Sequence, residues 1–196
     1  MAATIDANAL SQLFLDARSH NAWKDIDVTD AQLRELVDLM KMCPTSANCS
    51  PARIKFLKSD SAKQRLKPHL SEGNAEKTMT APAVAIIGHD MEFYEHLPKL
   101  FPHADAKSWF MGDPEKIATT AFRNGTLQGG YFIMAARAIG LDVGPMSGFD
   151  NEAVDKEFFA GTKIKSNFLC NIGIGDPAAI FGRSPRFDFD EMAEIL

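Results

Sequence analysis

Apolar residues recur every three or four positions near the start of the chain, at Leu10, Leu13, Phe14 and Ala17. Positions with this spacing share one face of an α-helix, so the segment predicts an amphipathic helix. The C-terminal end of this helix would present Arg18.

A second apolar stripe runs from Leu33 to Met40. Thr29 and Gln32 precede it at the spacing of a capping box, in which each side chain bonds the backbone N–H of the other residue. Pro44 cannot continue a helix. The pattern therefore predicts a helix that begins after Thr29 and ends before Pro44.

Two more helix starts are predicted from possible caps. Ser61 and Gln64 have the same spacing as Thr29 and Gln32 and predict the start of a third helix. Asp150 predicts the cap of a later helix, which would run to Ala160.

Three segments predict β-strands. Residues 54–57 form a short apolar run, and residues 83–88 are apolar on both faces, as in a central strand. Residues 167–174 predict a last internal strand, which the turn at residues 175–177 ends.

One long helix is predicted between Asp113-Pro114, a cap followed by a favoured first helical residue, and Gly140. Its interior carries three glycines: Gly125, Gly129 and Gly130. Each glycine forgoes about 1 kcal/mol of helix propensity. We expect close packing against a neighbouring helix, such as that of a second copy, to compensate.

Between Asp90 and Asp113 the pattern becomes irregular and rich in aromatic residues and prolines. It predicts a loop or short helical segment that covers an apolar site.

Length and charge narrow the function. A chain of 196 residues fits a single domain spanning residues 1–196, and a net charge of −5 without a basic block argues against nucleic-acid binding. The N-terminus lacks a signal-peptide pattern, and Arg137 interrupts the apolar run at residues 131–139, which is too short for a bilayer. We expect a soluble cytoplasmic protein that contacts no membrane.

Several familiar motifs are absent. The sequence has no HExxH, EF-hand or Walker A motif and no GxGxxG between a strand and a helix, so neither a metal site nor a Rossmann dinucleotide site is predicted. Ser147 lies one position too late for GxSxG, and no clear strand is predicted before it. The three cysteines, Cys43, Cys49 and Cys170, predict reduced, buried thiols.

Residues 43–51, Cys-Pro-Thr-Ser-Ala-Asn-Cys-Ser-Pro, carry hydroxyl and amide side chains between two prolines. Prolines fix the path of a loop, and such side chains suit the polar edge of a planar heterocycle. A capped polar turn is the alternative that this loop alone leaves open.

Four motifs in order give the chain a wider resemblance. Residues 43–51, the Asn-x-x-Lys of Asn74 and Lys77, residues 144–150 (Gly-Pro-Met-Ser-Gly-Phe-Asp) and residues 183–185 (Arg-Ser-Pro) resemble motifs of the nitroreductase-like family, whose enzymes use flavin mononucleotide (FMN). Within it, residues 18–23, residues 100–103 (Leu-Phe-Pro-His) and the loop at 44–53 look most like the malonic semialdehyde reductase (RutE) branch. The resemblance implies an α+β sandwich with a mostly antiparallel central sheet flanked by helices, and an intertwined homodimer with two FMN sites.

The resemblance also implies roles for particular residues. The implied cofactor-binding residues are Arg18, Ser19, His20, Asn21, Thr45, Ser46, Asn48, Asn74, Lys77, Pro145, Met146, Ser147, Gly148, Arg183 and Arg186. Arg18 and Arg183, helped by Arg186, would bind the phosphate; Asn74 and Lys77 would meet the pyrimidine edge of the flavin; residues 145–148 would lie along the ring. Relative to the family pattern, Ala17 and Asn21 replace basic residues and Ser147 replaces glutamate.

The implied activity is hydride transfer from NADH or NADPH to a small acceptor by a ping-pong route. The chemistry lies on flavin N5, and no catalytic side chain is required. The candidate substrate pocket consists of Ala47, Arg53, Phe101, His103 and Phe110. Malonic semialdehyde, reduced to 3-hydroxypropionate in pyrimidine breakdown, is the expected acceptor, and Arg53 or His103 could bind its carboxylate. The alternatives are a broad nitroaromatic or quinone reductase and, less favoured, a non-catalytic flavin carrier.

Overall fold

The computed structural model of the protein describes residues 3–196. Within this range four strands form one antiparallel sheet in the order β1-β2-β4-β3. The strands are β1 (Ala52–Leu57), β2 (Ala83–Asp90), β3 (Asp142–Met146) and β4 (Ile164–Gly173). The helices are α1 (Ala7–Leu10, continued as a π-helix over Ser11–Leu15), α2 (Asp30–Met40), α3 (Asp60–Leu66), α4 (Glu72–Met79), α5 (Leu97–Leu100), α6 (Pro114–Ala138), α7 (Asn151–Phe158) and α8 (Phe189–Met192).

Strand β2 lies inside the sheet and is buried along its whole length. Ala83, Ala85 and Ile87 pack into one hydrophobic cluster, and Val84 and Ile86 pack into another on the opposite face. This alternation follows from the two-residue period of a strand. It confirms the prediction of a central strand.

Helices cover both faces of the sheet. Leu36 of α2 and Phe132 of α6 belong to the cluster on one face, and Leu66 of α3 and Val154 of α7 belong to the cluster on the other. These four side chains are fully buried, and burial of each contributes about 1.5–3 kcal/mol. The predicted α+β fold, an antiparallel sheet flanked by helices, is confirmed.

Three predicted helix starts have the expected caps. Thr29 and Gln32 form a capping box ahead of α2. The Asp113 side chain accepts a hydrogen bond from the N–H of Lys116 at 2.9 Å, and Asp150 caps α7. Gly140, which follows the C-terminal cap residue Ile139 of α6, has a φ of +80°, the left-handed conformation expected of a glycine at this position.

Other boundaries differ from the prediction. Helix α3 begins two residues early, because the Ser59 hydroxyl, rather than that of Ser61, accepts the capping hydrogen bond from the N–H of Ala62. Helix α7 ends at Phe158, because the Phe159 backbone leaves the helical region and its side chain enters the core. Strand β4 runs from Ile164 to Gly173, and α4 was not predicted.

Strand β3 also contradicts the expectation that no strand precedes Ser147. Gly144 and Pro145 lie inside it. Proline is tolerated here because β3 is at the edge of the sheet. Glycine is required at 144 because a Cβ there would lie 2.5 Å from the carbonyl oxygen of His20.

Gly125 and Gly129 of α6 pack against the sheet rather than against a neighbouring helix, so the prediction is wrong for these two glycines, and for Gly130 it stays a prediction. A Cβ at Gly125 would lie 2.7 Å from the Cβ of His89, and one at Gly129 would lie 2.5 Å from the ring of Phe168. Both glycines therefore bring α6 close to the sheet of its own chain. Gly130 points away and has no neighbour within 4 Å.

All three cysteines are buried and unbridged, as predicted. Burial raises the pKa of Cys49 to about 11 and that of Cys170 to about 12. These thiols are therefore neutral at physiological pH. Their environment does not favour a reactive thiolate.

Candidate functional site

Residues 18–21 lie alongside the edge strand β3. Ser19 forms a parallel bridge with Val143, and the N–H of His20 donates to the Val143 carbonyl at 3.0 Å. The sheet thus fixes the backbone of this segment.

Arg18 and Arg183 come together from opposite ends of the chain. The Arg18 guanidinium donates to the carbonyl of Phe181, and Arg183 donates to the carbonyls of Leu15 at 2.6 Å and Ala17 at 3.1 Å. A guanidinium has five N–H donors, so both arginines keep donors for an anion. Arg186, by contrast, donates to Ser184 and Pro185 of its own segment.

Asn74 and Lys77, both on α4, meet the other predicted segments. The Asn74 amide donates to the Gly148 carbonyl at 2.8 Å, and the Lys77 ammonium donates to the Asn21 side chain at 3.4 Å. A Cβ at Gly148 would lie 2.5 Å from the Asn74 amide nitrogen, so glycine permits this close approach.

The turn after β3 offers mainly its backbone. The Met146 side chain is buried and accepts a hydrogen bond from Thr78 at 3.5 Å, whereas Ser147 is exposed. We refer to the residues assembled beside β3 as the arginine cluster: Arg18, Ser19, His20, Asn21, Asn74, Lys77, Pro145, Met146, Ser147, Gly148 and Arg183.

His20 is held inside this cluster. Its side chain is buried, and Nε2 lies 3.3 Å from Oδ1 of Asp142, whose other oxygen accepts the N–H of Gly175 at 2.8 Å. Nδ1 is buried without a hydrogen-bond partner among the described residues. A Cβ at Gly175 would lie 1.8 Å from Nδ1, so only glycine leaves room for the imidazole ring.

Two residues that sequence reasoning missed fix the backbone of Lys77. Its carbonyl accepts hydrogen bonds from the Trp23 indole at 3.0 Å and from the Asn171 amide at 3.1 Å. Asn171 is fully buried in β4. A polar residue inside the apolar run of residues 168–172 was the available signal.

The second group of predicted residues lies on residues 44–51, the proline loop. Ala47, Asn48 and Ser50 have φ values of +49°, +51° and +38°, and they are the only non-glycine residues with positive φ in the described range 3–196. Such conformations cost about 1–3 kcal/mol each and concentrate at functional sites. The Ser50 N–H donates to the Thr45 hydroxyl at 3.1 Å within the loop.

Two buried amides of α6 contact the ends of this loop. Oδ1 of Asn124 accepts the N–H of Ser46 at 2.9 Å, and Oε1 of Gln128 accepts the N–H of Ala52 at 2.8 Å. Sequence reasoning missed both residues. Their signal is a pair of amides four residues apart, each followed by a glycine.

The aromatic segment after β2 packs on the proline loop. The Asn48 amide donates to the Leu100 carbonyl at 2.8 Å. Phe101 stacks edge-on against His103 and Trp109, and His103 is exposed. Phe110, in contrast, is only 4% exposed and belongs to a core cluster, so its side chain lies in the interior of this segment.

Arg53 is paired with a carboxylate. Its guanidinium lies 2.8 Å from Asp90, whose side chain is largely buried, and also donates to the carbonyls of Ser50 and Ala52. Asp90 thereby offsets the positive charge of Arg53. His103 forms no ion pair within the described part of the chain.

The arginine cluster and the proline loop lie at opposite edges of the sheet. The first adjoins β3, and the second leads into β1, with β4 and β2 between them. Three strand spacings correspond to about 14 Å. One chain therefore brings the predicted residues together in two groups rather than one.

Two further observations concern residues 3–196 as a whole. No three His, Cys, Asp or Glu side chains in this range cluster in a way that could hold a metal ion. None of its helices combines the length and apolar character needed to span a membrane.

Comparison with known proteins shows which family has similar sequences. The Nitroreductase family model matches residues 15–175. A Burkholderia lata protein with the provisional name NADH dehydrogenase/NAD(P)H nitroreductase is 65% identical over 192 residues, covering 98% of each chain. A Cupriavidus pinatubonensis protein with the same type of name is 58% identical over 190 residues, covering 95% of this chain and 96% of the relative.

Solved structures show the same fold. A provisionally named nitroreductase of Bacillus subtilis aligns with a TM-score of 0.85 at 20% identity, covering 97% of this chain and all of that one. One from Exiguobacterium sibiricum, solved in complex with FMN, aligns with a TM-score of 0.83 at 17% identity, covering 100% of this chain and 99% of that one. The family match and the two close relatives together show that this chain belongs to the nitroreductase family.

Proposed function

We propose that the protein is an FMN-dependent NAD(P)H oxidoreductase. The observation that carries the proposal is the meeting of Arg18 and Arg183 beside β3, next to Lys77 and residues 145–148 at the end of that strand. The names of the relatives include NAD(P)H, and one structural neighbour contains FMN.

The residues of the arginine cluster fit FMN. Arg18 and Arg183 would hold the phosphate, because a planar guanidinium donates paired hydrogen bonds to phosphate oxygens. Arg18 and Arg183 keep N–H donors beyond those that bond backbone carbonyls, and within residues 3–196 the Lys77 ammonium makes one hydrogen bond, to Asn21 at 3.4 Å. The remaining donors suit an anionic ligand such as the FMN phosphate.

Bound FMN would supply hydride transfer from NAD(P)H to an acceptor. Lys77 would place a positive charge near the pyrimidine edge of the ring, where negative charge develops during reduction. The backbone of residues 145–148 would orient the ring. Since the sequence has no GxGxxG fingerprint for a separate nucleotide site, donor and acceptor would occupy the same place in turn.

We further propose that the active form is a homodimer. The proline loop of a second copy would complete the site, because one chain holds it about 14 Å or more from the arginine cluster. Helix α6 has an outward groove of about 870 Å³ along an apolar face that includes Phe122, Leu127 and Tyr131. These side chains are 42–54% exposed in the single chain and suit burial against another copy.

Substitution of the arginines tests the cofactor proposal. We expect Arg18→Ala and Arg183→Ala each to weaken FMN binding about tenfold or more, because each removes charge-assisted hydrogen bonds to the phosphate. Arg186→Ala is the matched control, since Arg186 bonds only its own segment. Affinities are measured by quenching of flavin fluorescence.

Riboflavin, which lacks the phosphate, distinguishes a loss of phosphate contacts from damage to the fold of the variant. The affinity for riboflavin should be the same in wild type and in both arginine variants. Equal losses for FMN and riboflavin would contradict the assignment of Arg18 and Arg183 to the phosphate.

Malonic semialdehyde is the acceptor that we propose, on the resemblance of residues 18–23, 44–53 and 100–103 to the reductases of that aldehyde. His103 is the better candidate for its carboxylate, since Asp90 offsets the charge of Arg53. His103→Ala should reduce kcat/KM for malonic semialdehyde more than for a neutral aldehyde. His96→Ala serves as the control, because His96 lies 3.6 Å from Asp90.

A broad nitroaromatic or quinone reductase is the second candidate, which the names of the close relatives favour. Comparison of kcat/KM for malonic semialdehyde, nitrofurazone and a quinone decides between the two. A higher value for nitrofurazone or the quinone would support this second candidate. Failure of the purified protein to oxidise NAD(P)H with any acceptor would instead indicate a flavin carrier.

A further inference from the structure

Two buried amides tie both ends of the proline loop to one helix. Asn124 and Gln128, 3% and 2% exposed, lie one turn apart on α6. Asn124 accepts the N–H of Ser46 at 2.9 Å near the start of the loop, and Gln128 accepts the N–H of Ala52 at 2.8 Å just after its end. The five residues between these anchors include all three with positive φ.

The glycines of α6 explain how the amides reach the loop. Gly125 and Gly129 follow Asn124 and Gln128 directly in sequence. A Cβ at either glycine would lie under 3 Å from His89 or Phe168, so α6 can lie this close to the sheet only because both side chains are missing. The two glycines lower the helix propensity of α6, but they let the helix lie close to the sheet. In that position each amide is within hydrogen-bonding distance of the backbone near one end of the loop.

The conformation of the loop requires such anchors. Ala47, Asn48 and Ser50 adopt a left-handed backbone conformation that L side chains disfavour, and it persists only where the surroundings determine it. Inside the loop, the Thr45 carbonyl and hydroxyl accept the N–H groups of Asn48 at 3.0 Å and Ser50 at 3.1 Å. The two α6 amides connect this unit to the core.

We propose that Asn124 and Gln128 are positioning residues that hold the proline loop in the strained conformation in which it receives the flavin. They act through the backbone of the loop and do not touch the ligand themselves. The inference rests on the proposed function only in naming FMN as that ligand; the anchoring of the loop can be measured without it.

The test uses the full-length protein with Asn124→Leu and Gln128→Leu, which keep similar volume and remove the acceptor oxygen. Hydrogen exchange at the amides of Ser46 and Ala52 is measured without flavin, and the FMN Kd is measured by fluorescence quenching. We expect faster exchange at the amide that each variant releases and an FMN Kd raised about tenfold. Asn151→Leu is the control, since the hydrogen bonds of the Asn151 amide go to the carbonyl and hydroxyl of Ser166 and involve no residue of the loop.

Relief of the strain provides a readout that general destabilisation would not change. Glycine adopts positive φ without strain. The Asn124→Leu variant should therefore lose less FMN affinity in an Ala47→Gly background than in wild type, which a double-mutant cycle measures.

Each outcome bears on one proposal. Unchanged exchange at Ser46 and Ala52 would show that the amides do not anchor the loop. Faster exchange with an unchanged FMN Kd, or an equal loss of FMN affinity in Asn151→Leu, would overturn the positioning role. Failure of wild type itself to bind FMN would overturn the proposed function, while the exchange arm would still decide whether the amides anchor the loop.

Discussion

The arginine cluster and the proline loop are held in different ways. In the arginine cluster, segments from distant parts of the chain meet through side chains that donate to carbonyls, as Arg18, Arg183 and Asn74 do. Its non-glycine residues all have ordinary φ values. The proline loop is one continuous segment with three left-handed residues, anchored by buried amides of α6. The first region therefore depends on the topology that brings its segments together. The second depends on a strained backbone that contacts with the core hold in place.

This difference predicts different responses to substitution. Arg183 is exposed and Arg18 half-buried, so their replacement should change ligand binding more than folding. The proline loop contains Cys49, which is fully buried, and two buried amides of α6 accept hydrogen bonds near its ends. Changes there should alter the free energy of unfolding as well.

The largest expected effect comes from the glycine face of α6 that supports the loop. Gly129→Leu should destabilise the protein by about 3 kcal/mol or more, because the new side chain would overlap the Phe168 ring. Gly130→Leu, one residue further along, has open space within its own chain and gains up to about 1 kcal/mol of helix propensity, so the folded chain itself should not be destabilised. Because Gly130 lines the outward groove of the proposed dimer face, urea unfolding of both variants is measured at several protein concentrations and compared for the dissociated chain.

The milder Gly129→Ala keeps this prediction testable if the leucine variant does not fold. Its Cβ would still lie 2.5 Å from Phe168, so we expect a smaller loss of stability than with leucine. Similar stabilities for the variants at 129 and 130 would mean that α6 is not pressed against the sheet. The account of the amide anchors would then fail as well.

Alkaline pH should lower the free energy of unfolding of the protein through Cys49, which lies in the proline loop. Burial raises the pKa of its thiol to about 11 in the folded protein, from an ordinary value of 9.0. Above about pH 9 the unfolded chain releases this proton and the folded protein does not, so the free energy of unfolding falls as pH rises toward 11. The slope approaches about 1.4 kcal/mol per pH unit for one thiol.

The contribution of Cys49 is isolated by difference. Cys49→Ala should lose less stability than wild type between pH 9 and 11, while the two should run parallel below pH 8. Cys43→Ala is the control, because burial raises the pKa of Cys43 without so large a shift. Parallel curves for wild type and Cys49→Ala over the whole range would contradict burial of the Cys49 thiol.

The sequence predicted most residues of the arginine cluster, but it did not predict the α6 residues that anchor the proline loop. Capping residues and apolar periodicity are local, so Thr29, Asp113 and Asp150 revealed their helices. Strand β3 was missed because Gly144 and Pro145 interrupt its pattern, and edge strands tolerate such residues.

The residues that position the site were missed for a different reason. Asn124, Gln128 and Asn171 do nothing in their own segments that a sequence pattern reveals, since their partners are 78, 76 and 94 positions away. The same holds for Gly125 and Gly129 of α6: the number of glycines indicated close packing, but only the fold shows that the neighbour of these two is the sheet. Long-range contacts of this kind follow from topology rather than from local pattern.

The smallest expected effect tests the strain itself. At Ala47, with a φ of +49°, glycine would relieve the steric cost of a left-handed conformation but would also increase the entropy of the unfolded chain. The first term exceeds the second at such positions, so Ala47→Gly should stabilise the protein by about 0.5–1 kcal/mol in urea unfolding. Ala118→Gly, in the regular interior of α6, should instead destabilise it by about 1 kcal/mol. If both glycines destabilise the protein equally, the loop carries no strain, and the contrast between a strained loop and an unstrained arginine cluster disappears.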